Sequence, residues 1–207
     1  MHTRRLRDRL RVARMGLEFS NEGTTRFQGE LVLSEGLGFG GMTRIGDPLS
    51  SRIDASGKFT KLAASLQVSR PLSEHVTLRA VAITQYSNRP LLSGEEFSLG
   101  GNRVGRAFEF NRLTGDRGGG AGVELGYRPG TSKSNPSGLE LYGYADGGVA
   151  ITVKSSFAPS HSRSLASAGL GARFNLGGNS ISIEAGLPIA APRYSSPRLF
   201  LSAFRTF

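Results

Sequence analysis

The chain has 207 residues, a formal net charge of +10 and no cysteine, and the lack of cysteine excludes disulfides, thiol catalysis and cysteine-based zinc sites. The length is typical of one domain. The three histidines, His2, His75 and His161, lie far apart, so we expect no metal site. We expect no other cofactor either, because the glycine-rich stretches do not fit a nucleotide site. The arginines are spread along the whole chain without interleaved aromatic residues, so we expect no nucleic-acid partner in spite of the positive charge.

Residues 1–11 form a basic N-terminal lead-in. The stretch is rich in arginine, but it is not followed by the apolar core of a signal peptide. We therefore expect that this segment is not an export signal. The chain has no run of about 18 apolar residues, which a transmembrane helix would require.

Alternation of apolar and polar residues with a period of two is the strongest pattern in the sequence. Between residues 58 and 69, for example, Leu62, Leu66 and Val68 share one face, while Lys61 and Gln67 share the other. The same pattern recurs along the chain and predicts an all-β fold. We expect about nine strands, at about 12–20, 26–35, 58–69, 75–86, 120–128, 138–146, 165–174, 180–187 and 198–207.

These predicted strands are long for a soluble sheet. Most have about eight to twelve residues, whereas soluble strands have about five or six and a tilted strand that crosses a bilayer has about nine to eleven. A soluble β-sandwich also alternates, however. The pattern alone therefore leaves a membrane barrel and a soluble sandwich open.

Two glycine-rich stretches resemble phosphate-binding motifs only formally. Gly36, Gly38 and Gly41 fit the dinucleotide pattern, but no amphipathic helix follows them. The stretch from Gly100 to Arg106 lacks the lysine and hydroxyl residues of a P-loop. Since no nucleophile elbow or paired carboxylates are present either, we expect no enzymatic activity.

The stretch "LLSGEEFSLGGNRVGRAFEFNRLTGDRGGGAGVELGYR" resembles the C-terminal barrel of the two-partner secretion transporters, the haemolysin-activator and filamentous-haemagglutinin-exporter family of Gram-negative outer membranes. Downstream, "YGYADGG", "ISIEAGLPI" and "PRLFLSAFRTF" resemble later strands of the same barrel, so the likeness spans about residues 12–207. The matching residues are Phe97, Leu99, Gly100, Gly101, Arg106, Phe108, Gly115 and Asp116 in the loop motif, Glu124 and Leu125 in the strand that follows it, and Tyr144, Asp146 and Gly148 in the barrel-wall motif.

The resemblance implies an antiparallel transmembrane β-barrel with a long loop, at about 87–119, that folds back into the barrel. In that family an arginine of the loop pairs with an aspartate of the inner wall, which would be Arg106 and Asp146 here. We expect this pair to lock the loop to the barrel. The glycines of the loop would then allow tight turns inside the barrel and would serve a gate rather than a phosphate site.

The resemblance also implies the partners and the location of the protein. They are a secreted passenger of haemolysin or adhesin type, outer-membrane lipid and the barrel assembly machinery, with the protein in the outer membrane. In the last strand, Leu199, Leu201, Ala203 and Phe207 would form the assembly signal. About nine strands correspond to only part of the family's sixteen, so we expect a fragment. A non-functional or partner-dependent barrel remnant and a soluble β-sandwich binding module remain alternatives.

Overall fold

The computed structural model of the protein describes residues 6–130, 138–176, 178–190 and 196–205. Phe207, part of the expected assembly signal, lies outside these residues. Within these ranges, no helix is both long and apolar enough to cross a membrane.

Nine long strands form one antiparallel sheet, which confirms the predicted all-β antiparallel fold. Their order in the sheet is β1-β2-β3-β4-β7-β8-β9-β10-β11, so every neighbour in the sheet is also the next long strand in the chain. The long strands are β1 (Val12–Glu22), β2 (Arg26–Gly36), β3 (Thr60–Pro71), β4 (Val76–Ser87), β7 (Arg117–Tyr127), β8 (Glu140–Thr152), β9 (His161–Leu176), β10 (Asn179–Ala190) and β11 (Arg198–Arg205). A separate two-stranded hairpin contains β5 (Phe97–Leu99) and β6 (Leu113–Gly115), preceded by a 3-10 helix (Ser93–Glu95).

The two faces of the sheet differ in chemistry. Apolar side chains such as Leu125, Leu170 and Ile183 are exposed on one face, which we call the outer face. The opposite, inner face carries the charged and polar residues Glu124, Asp146 and Glu184. An exposed apolar face on a single sheet is suited to contact with lipid.

The connections between strands also divide into two kinds. Those at one end of the sheet include the short turns at residues 23–25 and 72–75, whereas those at the other end include the long segments 37–59 and 88–116. We call these the short-turn end and the long-loop end. In outer-membrane barrels, short turns face the periplasm and long loops face the cell exterior.

The sheet curves around the segment 88–116, which we call the plug loop. Arg14 of β1 forms an ion pair with Glu95 of this loop, and Arg198 of β11 forms one with Glu109 of the same loop. In a flat sheet, nine strands would place β1 and β11 about 38 Å apart. The inner face is therefore concave, and the plug loop lies inside the curve.

We predict that charge is tolerated on the inner face and not on the outer face. Lysine in place of Leu170, in the middle of β9, should cost about 2–4 kcal/mol of unfolding free energy in lipid vesicles, because it places a charge in the hydrocarbon region. Ser65→Lys, in the middle of β3 on the inner face, is the matched control and should cost less than about 1 kcal/mol. Urea titration of the vesicle-bound protein measures both, and equal costs would contradict the assignment of faces.

Candidate functional site

The plug loop packs on the inner face through an apolar cluster near the long-loop end. The hairpin of β5 and β6 presents its side chains to strands β8 and β9, and Val81 and Ile83 of β4 pack against the same cluster. The buried members are Phe97, Leu99, Val104, Phe108 and Leu113 from the loop and Ala150 and Leu165 from the sheet. Burial of these side chains stabilises the loop inside the curve of the sheet.

The tip of the plug loop needs glycine at its turns. Gly100, Gly101 and Gly105 have φ values of +105°, +100° and +83°, which residues other than glycine rarely adopt. A Cβ atom on Gly105 would also lie 2.9 Å from the Gly100 nitrogen and 2.9 Å from a methyl group of Leu165. Both conformation and space therefore require glycine at position 105.

Asp146 of β8 fixes the tip through the backbone. Its Oδ1 accepts a hydrogen bond from the Gly105 amide at 2.9 Å, and its Oδ2 accepts one from the Arg106 amide at 3.1 Å. The Ser167 hydroxyl donates to the same carboxylate from β9. Asp146 is 8% exposed, so these donors replace the water that the carboxylate loses on burial.

The guanidinium of Arg106 lies between two glutamates of the inner face. One nitrogen, Nη1, donates to Glu124 Oε2 of β7 at 2.7 Å, and Nη2 donates to Glu184 Oε2 of β10. Burial lowers the pKa of Arg106, but the bonds to Glu184 and Glu124 outweigh burial and raise that pKa above its usual value. The side chain therefore stays charged and links strands on both sides of β8 and β9.

Two tyrosine rings of β8 form a platform under this guanidinium. The central carbon of the Arg106 guanidinium lies 3.9 Å from the ring centroid of Tyr144 and 5.5 Å from that of Tyr142, both within range of a cation–π interaction. The rings lie across Gly169 and Gly171 of β9, where a Cβ atom would come within 2.5 and 2.3 Å of them. Small residues on β9 thus let the platform lie flat against the wall.

A wider ion-pair network surrounds this site. Arg79 of β4 bonds to Glu124 at 3.0 Å and to Glu140 at 2.7 Å, and Arg173 of β9 bonds to Glu140 at 2.8 Å. Because Glu124 also bonds to Arg106, the network connects the loop to four neighbouring strands. Among the described residues, no group of acidic residues and histidine has a metal-site arrangement.

A second group of charges holds the plug loop near the long-loop end. Glu95 forms ion pairs with Arg14 of β1 and with Lys61 of β3, and Lys61 Nζ lies 2.6 Å from Glu95 Oε2. Burial raises the pKa of Glu95, but the bonds to Lys61 and Arg14 outweigh burial and lower it below its usual value. The carboxylate is therefore charged at neutral pH and ties the loop to the first strands of the sheet.

The plug loop leaves the short-turn half of the interior open. A cavity of about 650 Å³ lies there, and Asn102 and Arg103 at the tip of the loop line it together with Gln67 and Ser69 of β3. The lining is polar at these positions. A vestibule with both polar and apolar lining residues therefore lies between the tip and the short-turn end.

Arg106 and Asp146 lie together, but in a different contact from the expected side-chain pair. Asp146 accepts the backbone amide of Arg106, while the guanidinium bonds to Glu124 and Glu184. Asp146 accepts two loop amides and the Ser167 hydroxyl, while Glu124 and Glu184, on the strands to either side, each offer the guanidinium a carboxylate oxygen. The two residues thus fix the same turn by separate means.

The other expected loop and wall residues lie along the contact between the loop and the sheet. The Phe97 ring lies over Gly118 of β7, and the backbone of Gly115 lies against that of Ile151 in β8. Leu99 covers Gly148 of β8, where a Cβ atom would lie 2.9 Å from a leucine methyl. Gly100 and Gly101 form the tip, Phe108 joins the apolar cluster, Asp116 is fully buried, and Tyr144 belongs to the platform.

Three residues of the expected assembly signal lie on the outer face of β11, namely Leu199, Leu201 and Ala203. Leu199 and Leu201 are 76% and 73% exposed, and Ala203 shares their face because it pairs with Ile181 of β10. The last strand thus has the apolar face that lipid contact requires.

Neither the alternation nor the resemblance predicted a role in the site for Glu184, Tyr142 or Ser167, and Glu124 was matched to the family without a role. Each occupies a polar position of an alternating strand, so the signal was present. What it lacked was the register between strands, which decides the polar residues that meet. In the structure, Glu124 pairs with Tyr144 and Gly171 pairs with both Tyr142 and Glu184.

The sheet has long strands, an apolar outer face, long loops at one end and a loop packed into its polar interior. These features define the wall of an outer-membrane type of β-barrel. The profile of the family described as haemolysin secretion/activation protein ShlB/FhaC/HecB matches residues 7–174. The chain belongs to this family, whose members are two-partner secretion transporters of the Gram-negative outer membrane. It is a transport family and not an enzymatic one.

Among solved structures, the chain is similar to CdiB from Escherichia coli, with a TM-score of 0.69 and 25% sequence identity. The match covers 95% of this chain and 37% of the CdiB chain, so this chain spans little more than a third of that protein's length. A comparison with curated proteins finds no match. The likeness in fold thus extends over nearly all of this chain.

We predict that Gly105→Ala loosens the tip of the plug loop. The side chain would be strained at a positive φ and would clash with Leu165, so amide exchange across residues 100–112 should accelerate by about tenfold or more. Gly94→Ala is the matched control, since a Cβ atom there meets nothing within 4 Å. Hydrogen exchange read by mass spectrometry compares the two, and equal exchange would show that position 105 does not require glycine.

Proposed function

We propose that this chain forms the C-terminal part of the barrel of a two-partner secretion transporter, and that the transporter exports a large passenger of haemolysin or adhesin type. The plug loop is the gate. The observation that carries the proposal is the position of Arg106, on an inward-folded loop and between glutamates of two different strands. Family membership supports the assignment to secretion.

The contacts of the plug loop suit a gate because they combine a fixed base with a releasable tip. At the base, the apolar cluster of β5 and β6 packs against the sheet. At the tip, the contacts are ion pairs and hydrogen bonds to Glu124, Asp146 and Glu184. Polar contacts of this kind exchange with water at a modest net cost, whereas loss of an apolar cluster exposes its whole surface. Release should therefore begin at the tip.

Arg106 and Asp146 form the lock through two routes in this proposal. Asp146 fixes the backbone of the turn, and Arg106 joins the turn to β7 and β10. A bond to a single strand would leave the loop free to swing, whereas contacts on both sides of the tyrosine platform define one orientation. Arginine is suited to this position because its planar fork serves two carboxylates and also stacks on a ring.

The outer face and the last strand support the proposed partners. The apolar residues of the outer face would contact outer-membrane lipid, and Leu199, Leu201 and Ala203 would present the assembly signal to the barrel assembly machinery together with Phe207. Further strands of the complete transporter would pair with the outer edges of β1 and β11, which do not pair with each other in the sheet. Edges of this kind must be paired within a membrane.

The same open edges favour one alternative, a remnant that inserts only with a partner. Separate membrane fractionation of this 207-residue chain and of the complete gene product distinguishes the two cases. The transporter is supported if the complete gene product gives a heat-modifiable band in urea-washed outer membranes and this chain does not. Absence of both forms from the membrane would contradict membrane function altogether.

We predict that Glu184→Ala opens the gate. Loss of one carboxylate leaves the Arg106 guanidinium without its contact on β10, so the open probability in planar bilayers should rise by about tenfold, equivalent to about 1.4 kcal/mol. Glu30→Ala is the control, because Glu30 is an exposed carboxylate on the same inner face, where it pairs with Ser65 of β3. Equal open probabilities for both variants and the unchanged protein would contradict the proposal that the plug loop is the gate. Export of the passenger by the unchanged protein tests the transporter assignment itself.

A further inference from the structure

Arg52 connects the β2–β3 loop, residues 37–59, to the plug loop. Its Nη1 lies 2.6 Å from Asp116 Oδ1 and 2.7 Å from Glu96 Oε1, both in the plug loop. Within its own loop, the guanidinium bonds to both oxygens of Asp54, at 3.2 and 3.1 Å. No pattern in the sequence pointed to Arg52.

Asp116 is the point where three segments meet. It is fully buried, and besides Arg52 it accepts the Leu91 amide at 2.7 Å and the Val153 amide at 2.8 Å. Leu91 lies in the plug loop, and Val153 follows the last residue of β8. One carboxylate therefore ties the plug loop, the β2–β3 loop and the end of β8 together.

The charges make Arg52 necessary for this junction. Three carboxylates, from Asp54, Glu96 and Asp116, surround this one guanidinium. Burial raises the pKa of Glu96, and the nearby Asp116 carboxylate adds to the rise while Arg52 opposes it. Without Arg52, the buried Asp116 would lose its counter-charge, and a buried carboxylate without a counter-charge is strongly destabilising.

A second contact lies beside this junction. The Ser93 amide of the plug loop donates to the Ser51 hydroxyl of the β2–β3 loop at 3.0 Å. The two loops thus meet both at the arginine and at its sequence neighbour. Both loops lie at the long-loop end of the sheet, through which a passenger would leave the barrel.

We infer that Arg52 is a positioning residue that holds the β2–β3 loop over the plug loop as an outer lid. The lid and the plug loop separate at the Arg52–Asp116 contact when a polypeptide passes. The inference rests on the proposed export function and adds a second closure, independent of Arg106, at the exit.

A reversible disulfide tests whether the two loops must separate. Ser51→Cys with Ser93→Cys places one thiol on each of the two residues that the hydrogen bond between the Ser93 amide and the Ser51 hydroxyl joins, and this chain has no cysteine of its own. In the complete gene product, the oxidised double variant should lose export and regain it on reduction, while each single variant exports in both conditions. Undiminished export with the disulfide closed would overturn the lid. Failure of the unchanged protein to export would instead contradict the proposed function.

Hydrogen exchange tests the positioning role without any export assay. Arg52→Ala should accelerate exchange about tenfold in residues 45–56 and 89–96 together, and Arg52→Lys should restore part of the protection. Arg44→Ala is the matched control, since Arg44 is an exposed arginine of the same loop. Unchanged exchange in Arg52→Ala, or acceleration in only one of the two segments, would overturn the inference.

Discussion

The contact of the Arg106 guanidinium with Glu124 and Glu184 is the interaction on which the interior arrangement depends. The two glutamates lie on β7 and β10, so they can reach one guanidinium only if the sheet is curved and the strands between them keep their register. The same contact requires the flat tyrosine platform of β8 and the glycine tip of the plug loop. Sheet curvature, register and loop conformation are therefore coupled through one charged side chain.

Much of the fold could be predicted from the alternation of apolar and polar residues, but the strand ends could not. The predicted strand at 138–146 extends in the structure to Thr152, and the one at 120–128 begins at Arg117. At those positions the plug loop covers the inner face, so Ala150 is buried on a face that is polar elsewhere. The alternation disappears where an apolar loop replaces water. The hairpin of β5 and β6 was missed because its strands are only three residues long.

The site could be predicted in part. The resemblance identified Arg106 and Asp146, and in the structure the Arg106 amide donates a hydrogen bond to Asp146. It did not identify the true partners of the guanidinium, since Glu124, Glu140 and Glu184 are equivalent polar positions until the register between strands is known. Arg52 carried no signal at all, because its role depends on how two long loops meet and loops have no periodicity to interpret.

In the proposed transporter, the tip of the plug loop leaves the inner face when a passenger moves through the barrel. Spin labels at Asn102, on the tip, and at Ser69, on β3, face the same cavity and report the distance between loop and wall. Double electron–electron resonance on the complete gene product should give one narrow distance distribution at rest and a longer, broader one with the passenger arrested in transit. A narrow distribution that stays unchanged with the arrested passenger would contradict the claim.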